Sequence, residues 1–409
     1  MTSPIAYRLG RMTGRDPGEN HRAATPLELL FDLAFVLAIG QASGSFAHLV
    51  AEGHVASALA GFGFAMFAIC WAWINFTWFA SAYDTDDWFY RLATMVQLIG
   101  VIVVALGVPS VFESVDHGEQ IDNRVLVIGY VVMRIALVAQ WLRAAKQDPE
   151  RRATALAYAK WVALAQVGWL FIGFAPLHFW PTVGLSVLFF GLEMLGPVLA
   201  ERKSSGTPWH AHHIAERYGL LTIITLGEGI FGTVAGVSAI VQEQGWSLEA
   251  VLVIVAGVGL TFGLWWTYFI ADAGAALAEN RGRAWGFGYG HILVFMAVAG
   301  TGAGLHVAAY VIEGHSEIGT IGAVLAVAIP VLIYCVAIFA LYVFLVGYLD
   351  PFHLWLVGGA AVVALAAVGL AVAGAPIGWC LVVLMLAPAV VVVGYETVGH
   401  RHAEARRAG

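Results

Sequence analysis

Twelve apolar stretches, each of about 20 residues or more, follow one another along the chain with only short polar segments between them. They cover approximately residues 27–50, 57–80, 89–111, 124–143, 153–175, 180–200, 217–241, 248–271, 285–310, 318–347, 352–374 and 376–396. A helix rises about 1.5 Å per residue, so about 20 apolar residues cross the roughly 30 Å hydrocarbon core of a bilayer. Lipid offers the backbone no hydrogen-bond partners, which leaves helices as the only plausible spanning form here. The chain is 60% hydrophobic and 11% charged, against roughly 25% charged in ordinary globular domains. These features predict an all-α polytopic membrane protein with about twelve transmembrane helices. The tenth stretch is long enough to tilt or kink, and Pro330 lies inside it.

The charges are sorted by side. Seventeen of the 20 Lys and Arg residues fall in segments that face one side when the stretches alternate: Arg8, Arg11, Arg15, Arg22, Arg91, Arg143, Lys146, Arg151, Arg152, Arg202, Lys203, Arg217, Arg281, Arg283, Arg401, Arg406 and Arg407. Only Arg124 falls on the other side, while Arg134 and Lys160 lie within stretches. The opposite loops carry acids such as Glu52, Asp116, Glu243 and Glu317. The positive-inside rule then predicts an inner-membrane protein with both termini cytoplasmic. The first 26 residues are basic without an apolar core, so the first stretch is expected to act as an uncleaved anchor. Cys70, Cys335 and Cys380 all fall within stretches, which argues against a disulfide framework or a thiolate metal site.

Shifting the sequence by 188 positions brings unusual residues into coincidence: Glu28 with Glu216, Trp78 with Trp266, and Asp84 with Asp272. The chain accordingly reads as a basic tail (1–26), a first six-helix repeat (27–200), a second (201–396) and a second basic tail (397–409). An even number of helices per copy makes the two repeats parallel, related by an axis along the membrane normal.

Three blocks carry a family resemblance. The first stretch opens P-L-E-L-L-F-D-L-A-F-V from Pro26, and the second ends W-I-N-F-T-W-F-A-S-A-Y-D-T-D-D from Trp73. The seventh opens E-R-Y-G-L-L-T-I-I-T-L-G-E-G-I from Glu216. In this order and spacing the chain closely resembles the bacterial low temperature requirement A family over essentially its whole length. Gly229 departs from the small polar residue expected after Glu228. The resemblance implies a multi-pass inner-membrane protein linked to growth in the cold, and it supplies no biochemical activity. The run F-D-L-A-F-V-L-A-I is also similar to the first-helix motif of TMEM-type potassium channels, although the second half has Gly-Leu-Leu where that motif needs its Asp.

Function must therefore be read from polar residues inside the apolar stretches. Glu28 and Asp32 are four apart and share a helix face. The helix macrodipole accounts for an acid at Glu28, whereas Asp32 lies more than a turn inside and either lines a pathway or pairs with a base. Glu228 falls near mid-membrane with Thr225 on its face, and Gly229, Gly232 and Gly236 let another helix approach closely. Arg134 cannot readily shed its charge, and Glu193 and Glu228 are the partners at matching depth. The group Asp84, Asp86, Asp87 and Arg91 and the group Asp272, Glu279, Arg281 and Arg283 read mainly as solvated loops, with the repeat-matched Asp84 and Asp272 the exceptions. His210, His212, His213, His400 and His402 lie on one side in a spacing that matches no ordered metal site. His291 reads as a packed or proton-relay histidine.

The chain lacks a clustered nucleophile, a His/acid dyad and an HExxH pattern, which argues against an enzyme. The expected function is a secondary transporter or permease of a small solute, with proton coupling as one form and Glu228, Asp32 and Arg134 along the route. The alternatives are an ion channel lined by the first and seventh helices and a membrane accessory factor. The expected partners are the bilayer and a small solute or ion, without nucleic acid, cofactor or metal; a homodimer is compatible with the sequence.

Overall fold

Helices long enough to cross a bilayer account for most of the computed structural model, which describes residues 9–19 and 22–402. Arg8, Arg406, Arg407 and the outer parts of both tails lie outside the described residues. Twelve spans are present among those described, with no strand. In chain order the helices are α1 (Pro26–Ala51), α2 (Val55–Tyr83), α3 (Trp88–His117), α4 (Arg124–Gln147), α5 (Arg152–Phe174), α6 (Phe179–Glu201) and α7 (Ala211–Gln244). They continue with α8 (Leu248–Phe269), the short α9 (Ala273–Glu279), α10 (Ala284–Ile312), α11 (Gly319–Val346), α12 (Pro351–Val372), α13 (Ile377–Leu384) and α14 (Leu386–Gly394).

The helix ends follow from local chemistry. Thr25 and Glu28 form a capping box around Pro26 at the first helical position of α1. Glu28 Oε2 accepts from the Thr25 N–H at 2.8 Å, and the Thr25 hydroxyl accepts from the Glu28 N–H at 3.3 Å. Asp87 caps α3 by accepting from Tyr90 N–H at 2.9 Å, and Gly118 closes that helix at φ 76°. Helix α8 ends at Phe269, and Asp272 then caps a separate helix, accepting from Ala275 N–H at 2.9 Å. The last stretch is interrupted at Met385. Pro388 lies four residues beyond Leu384 and cannot donate to its carbonyl, which removes one rung of the helical ladder there.

Two compact units arise by contact: Met1–Ala42 with Phe67–Arg217, and Ser43–Met66 with Tyr218–Gly409. In the first, α3 packs on α4, α4 on α5 and α5 on α6; in the second, α10 packs on α11, and α13 packs on α8 and α12. Glycine allows the closest approaches. A Cβ on Gly129 of α4 would lie 2.5 Å from the Val104 nitrogen of α3.

In the second unit, Gly232 of α7 and Gly302 of α10 let two backbones meet. A Cβ on Gly232 would fall 2.6 Å from the Gly302 carbonyl oxygen, and one on Gly302 would fall 2.5 Å from the Glu228 carbonyl carbon. Backbone cannot swing aside as a side chain can, so Gly302→Leu is expected to destabilise by about 1–3 kcal/mol or more. Gly227→Ala, which meets nothing within 4 Å, should be near neutral. Thermal unfolding of the two variants in detergent checks this, and equal midpoints would contradict it.

Candidate functional site

The N-terminal turns of α1 and α7 bring four ionisable side chains of the first unit together. Glu28, Asp32, His213 and Arg217 are each 0% exposed. Arg217 Nη1 lies 2.9 Å from Glu28 Oε1, and Arg217 Nη2 donates to Asp32 Oδ1. His213 Nε2 lies 3.1 Å from the same Glu28 oxygen. From α2, Trp73 Nε1 donates to Asp32 Oδ1 at 2.7 Å. The Arg217 guanidinium also lies 5.8 Å from the Trp73 ring centroid. Asp32 Oδ2 is buried without a protein partner among the described residues.

Asp32 thus pairs with a base, and the charge count requires a correction. Arg217 is not a loop charge. The seventh helix begins at Ala211 rather than 217, which places Arg217 almost two turns inside. Arg22 and Arg143 are likewise buried, at 6% and 9% exposure. Arg22 donates to the Ala80 carbonyl at 3.0 Å. Arg143 pairs with the fully buried Asp87 and donates to the Gly10 carbonyl at 2.7 Å.

Residues 10–15 form a strap across these helix ends. Gly10 N–H donates to Asp87 Oδ2 at 3.0 Å, Met12 N–H to Gln147 Oε1 at 2.6 Å and Gly14 N–H to Asp148 Oδ2 at 3.0 Å. Arg15 N–H donates to the Ala82 carbonyl at 3.0 Å. The repeated pattern of backbone donors on acidic and amide side chains leaves these buried carboxylates satisfied. Burial alone would raise the Asp87 carboxyl, but its hydrogen bonds from Arg143 outweigh that and hold it below the usual range.

Asp84, just past α2, is 7% exposed. Burial first, and the nearby Glu28 charge second, push its carboxyl up to about 6, against the Asp86 N–H bond and the Arg22 charge. A carboxyl raised in the folded state contributes stability that is present below about pH 4 and lost as pH rises to about 6. The change from 3.8 to about 6 corresponds to about 3 kcal/mol. The stability of the wild type relative to Asp84→Asn is therefore expected to fall by about that amount between pH 4 and pH 7. Detergent-phase unfolding at both pH values measures it, and parallel pH profiles would overturn the assignment.

A second buried group in the same unit links α4, α5 and α6. Arg134 donates to the Tyr130 hydroxyl at 2.6 Å, Tyr130 donates to Glu193, and Gln166 Nε2 donates to Glu193 Oε1 at 3.2 Å. Glu193, one of the two acids read from depth as partners for Arg134, is joined to it through the intervening Tyr130. In the second unit, Glu228 is 4% exposed. The Ser43 hydroxyl of the same unit is buried and makes no hydrogen bond among the described residues. Thr225 turns back to its own helix, donating to the Leu221 carbonyl at 2.8 Å.

The residues aligned by the 188-residue shift occupy unlike surroundings. Glu28 is enclosed, whereas Glu216 is exposed and accepts from Ala24 N–H at 3.2 Å. Trp78 packs edge-on to Trp209 at 5.1 Å, whereas Trp266 is 39% exposed and donates to Glu396 at 3.1 Å. Asp84 is buried, whereas Asp272 is an exposed helix cap. His210 accepts from His213 N–H at 3.2 Å and its Nε2 lies 2.9 Å from the Glu19 carbonyl; His212 is exposed.

His213 and Arg217 are the site members that the sequence reading placed respectively outside the membrane and at its boundary. Their spacing of four, matching that of Glu28 and Asp32, was the available signal: two complementary pairs, each on one helix face.

An uncharacterized protein of Rhizobium meliloti (strain 1021) is 25% identical to this chain over 294 residues, covering 68% of this chain and 67% of its own length. No solved structure matches. The family model described as bacterial low temperature requirement A protein (LtrA) matches residues 23–388, so the chain belongs to the bacterial low temperature requirement A family.

Proposed function

We propose that this chain is a proton-linked secondary transporter of a small solute, set in the inner membrane with both termini cytoplasmic. The observation that carries this reading is the charge balance of the enclosed cluster on α1 and α7. Two carboxylates, Glu28 and Asp32, face one guanidinium, Arg217, with no solvent exposure. Including the neighbouring Asp84 and Arg22 preserves the excess of one acid. A purely structural staple between helices is best served by matched charges, because an uncompensated buried charge is costly. One acid too many, beside His213, makes a place where a single proton completes the balance. Intramembrane acids of this kind mark proton relays in transporters. Asp32, whose Oδ2 has no protein partner among the described residues, is the group assigned to carry that proton.

The orientation rests on the exposed bases that remain after Arg22, Arg143 and Arg217 are set aside, including Arg91, Arg152, Arg202, Lys203, Arg281 and Arg401. A parallel six-helix repeat is supported by the pairing of α3 with α4 and of α10 with α11 through glycine contacts at corresponding places in the helix order.

The test uses purified protein in proteoliposomes loaded with a pH-sensitive dye and challenged with a panel of small solutes. The expected result is saturable, solute-dependent proton movement with counterflow, reduced at least tenfold in Asp32→Asn. Ohmic, non-saturating flux would identify a channel instead, and unchanged coupling in Asp32→Asn would remove that residue from the route.

A further inference from the structure

We infer that a small cavity in the second unit, between the end of α8, α9, α10 and α11, is a binding site for a short primary alkylammonium ion. The cavity measures about 50 Å³ and is lined by Tyr268, Asp272, Phe287, His291, Leu341 and Tyr342, among others. One water needs roughly 10–15 Å³ on this scale, so the space suits a ligand of about three to five non-hydrogen atoms.

Tyr268 and Asp272 offer acceptors to it, and the Tyr342 hydroxyl can either donate or accept. His291 is 2% exposed, and its Nδ1 lies 2.7 Å from the Phe287 carbonyl oxygen. A carbonyl can only accept, so Nδ1 carries the ring hydrogen and Nε2 is left as an acceptor. Nε2 lies 2.9 Å from the Tyr268 hydroxyl, which therefore donates to it and keeps its own oxygen as an acceptor. Asp272 adds a carboxylate; one oxygen caps α9 by accepting from Ala275 N–H. A ligand bringing several N–H donors and a positive charge complements this set, and an anion does not.

The remaining walls fit the rest of such a ligand. Phe287 and Tyr342 present aromatic rings, which attract a cation over their faces, and Leu341 offers apolar surface to a short alkyl chain. Arg283, which precedes α10, is already engaged, donating to the Phe344 and Leu345 carbonyls at 2.9 Å each. This site is separate from the α1–α7 cluster, and its occupancy is an equilibrium property independent of the carrier reading.

The experiment is calorimetric titration of the full-length protein in detergent with n-propylammonium chloride at constant ionic strength. The expected result is saturable binding at one site per chain, weakened at least tenfold in Asp272→Asn and at least threefold in Tyr268→Phe. Asparagine caps a helix as well as aspartate does, and phenylalanine keeps the ring, so both variants should retain the fold. Tetraethylammonium, 1-propanol and propionate should not compete. Absence of saturable binding to the wild type, equal binding to Asp272→Asn, or competition by propionate would each overturn the assignment.

Discussion

Arg217→Ala is expected to leave almost no folded protein in the membrane fraction. The substitution strands Glu28 and Asp32, both fully enclosed, without the guanidinium that each of them contacts. Breaking one buried pair costs about 3–5 kcal/mol, and two are broken here, against a typical total stability of about 5–15 kcal/mol. Arg217→Lys should recover only part of the loss, since a single ammonium on a flexible stem does not hold two carboxylates as a planar fork does. Combining Arg217→Ala with Glu28→Gln and Asp32→Asn removes all three charges and should restore abundance. Membrane-fraction yield and detergent unfolding midpoints of the four proteins test the argument. Wild-type yield for the single alanine variant would refute it.

Asp87→Ala should be nearly as damaging, for a different combination of reasons. Asp87 is at once the α3 cap, the partner of Arg143 and an acceptor for the strap at Gly10. Loss of the buried pair costs about 3–5 kcal/mol, with about 1 kcal/mol more for the cap. One position earlier, Asp86 pairs with Arg91 at 2.8 Å, yet both side chains are about half exposed, at 52% and 50%. Asp86→Ala should therefore cost no more than about 1 kcal/mol. Unfolding midpoints of the two variants give the comparison, and a similar loss in both would refute the role assigned to burial.

The membrane architecture was legible in the sequence because lipid imposes a length and a polarity that few other structures satisfy. The close-packing role of Gly232 was legible for a similar reason, as small residues spaced along an apolar helix mark a tight crossing. The ionic cluster was only half legible. Glu28 and Asp32 stood out as acids in apolar surroundings, but Arg217 was placed at the membrane boundary because hydropathy falls at the run Ala211-His212-His213. Hydropathy cannot distinguish a helix that has ended from one that continues with polar side chains turned inward. The Thr25–Glu28 capping box was present as T-P-L-E and explains Glu28 through backbone hydrogen bonds as well as through the macrodipole. The role of Tyr130 between Arg134 and Glu193 had no signal in spacing alone, since its hydroxyl is placed by packing between three helices.

The α1–α7 cluster also bears on the order in which the chain is made. Asp32 leaves the ribosome 185 residues ahead of Arg217, which at about 5–20 residues per second is a lag of roughly 10–40 s. During that interval Glu28 and Asp32 lack the guanidinium that each of them contacts in the folded chain. The two ion pairs to Arg217 can close only once the seventh helix has been made. Slowing elongation between the two should therefore expose the nascent chain to membrane quality-control proteases for longer, and accelerating it should do the reverse.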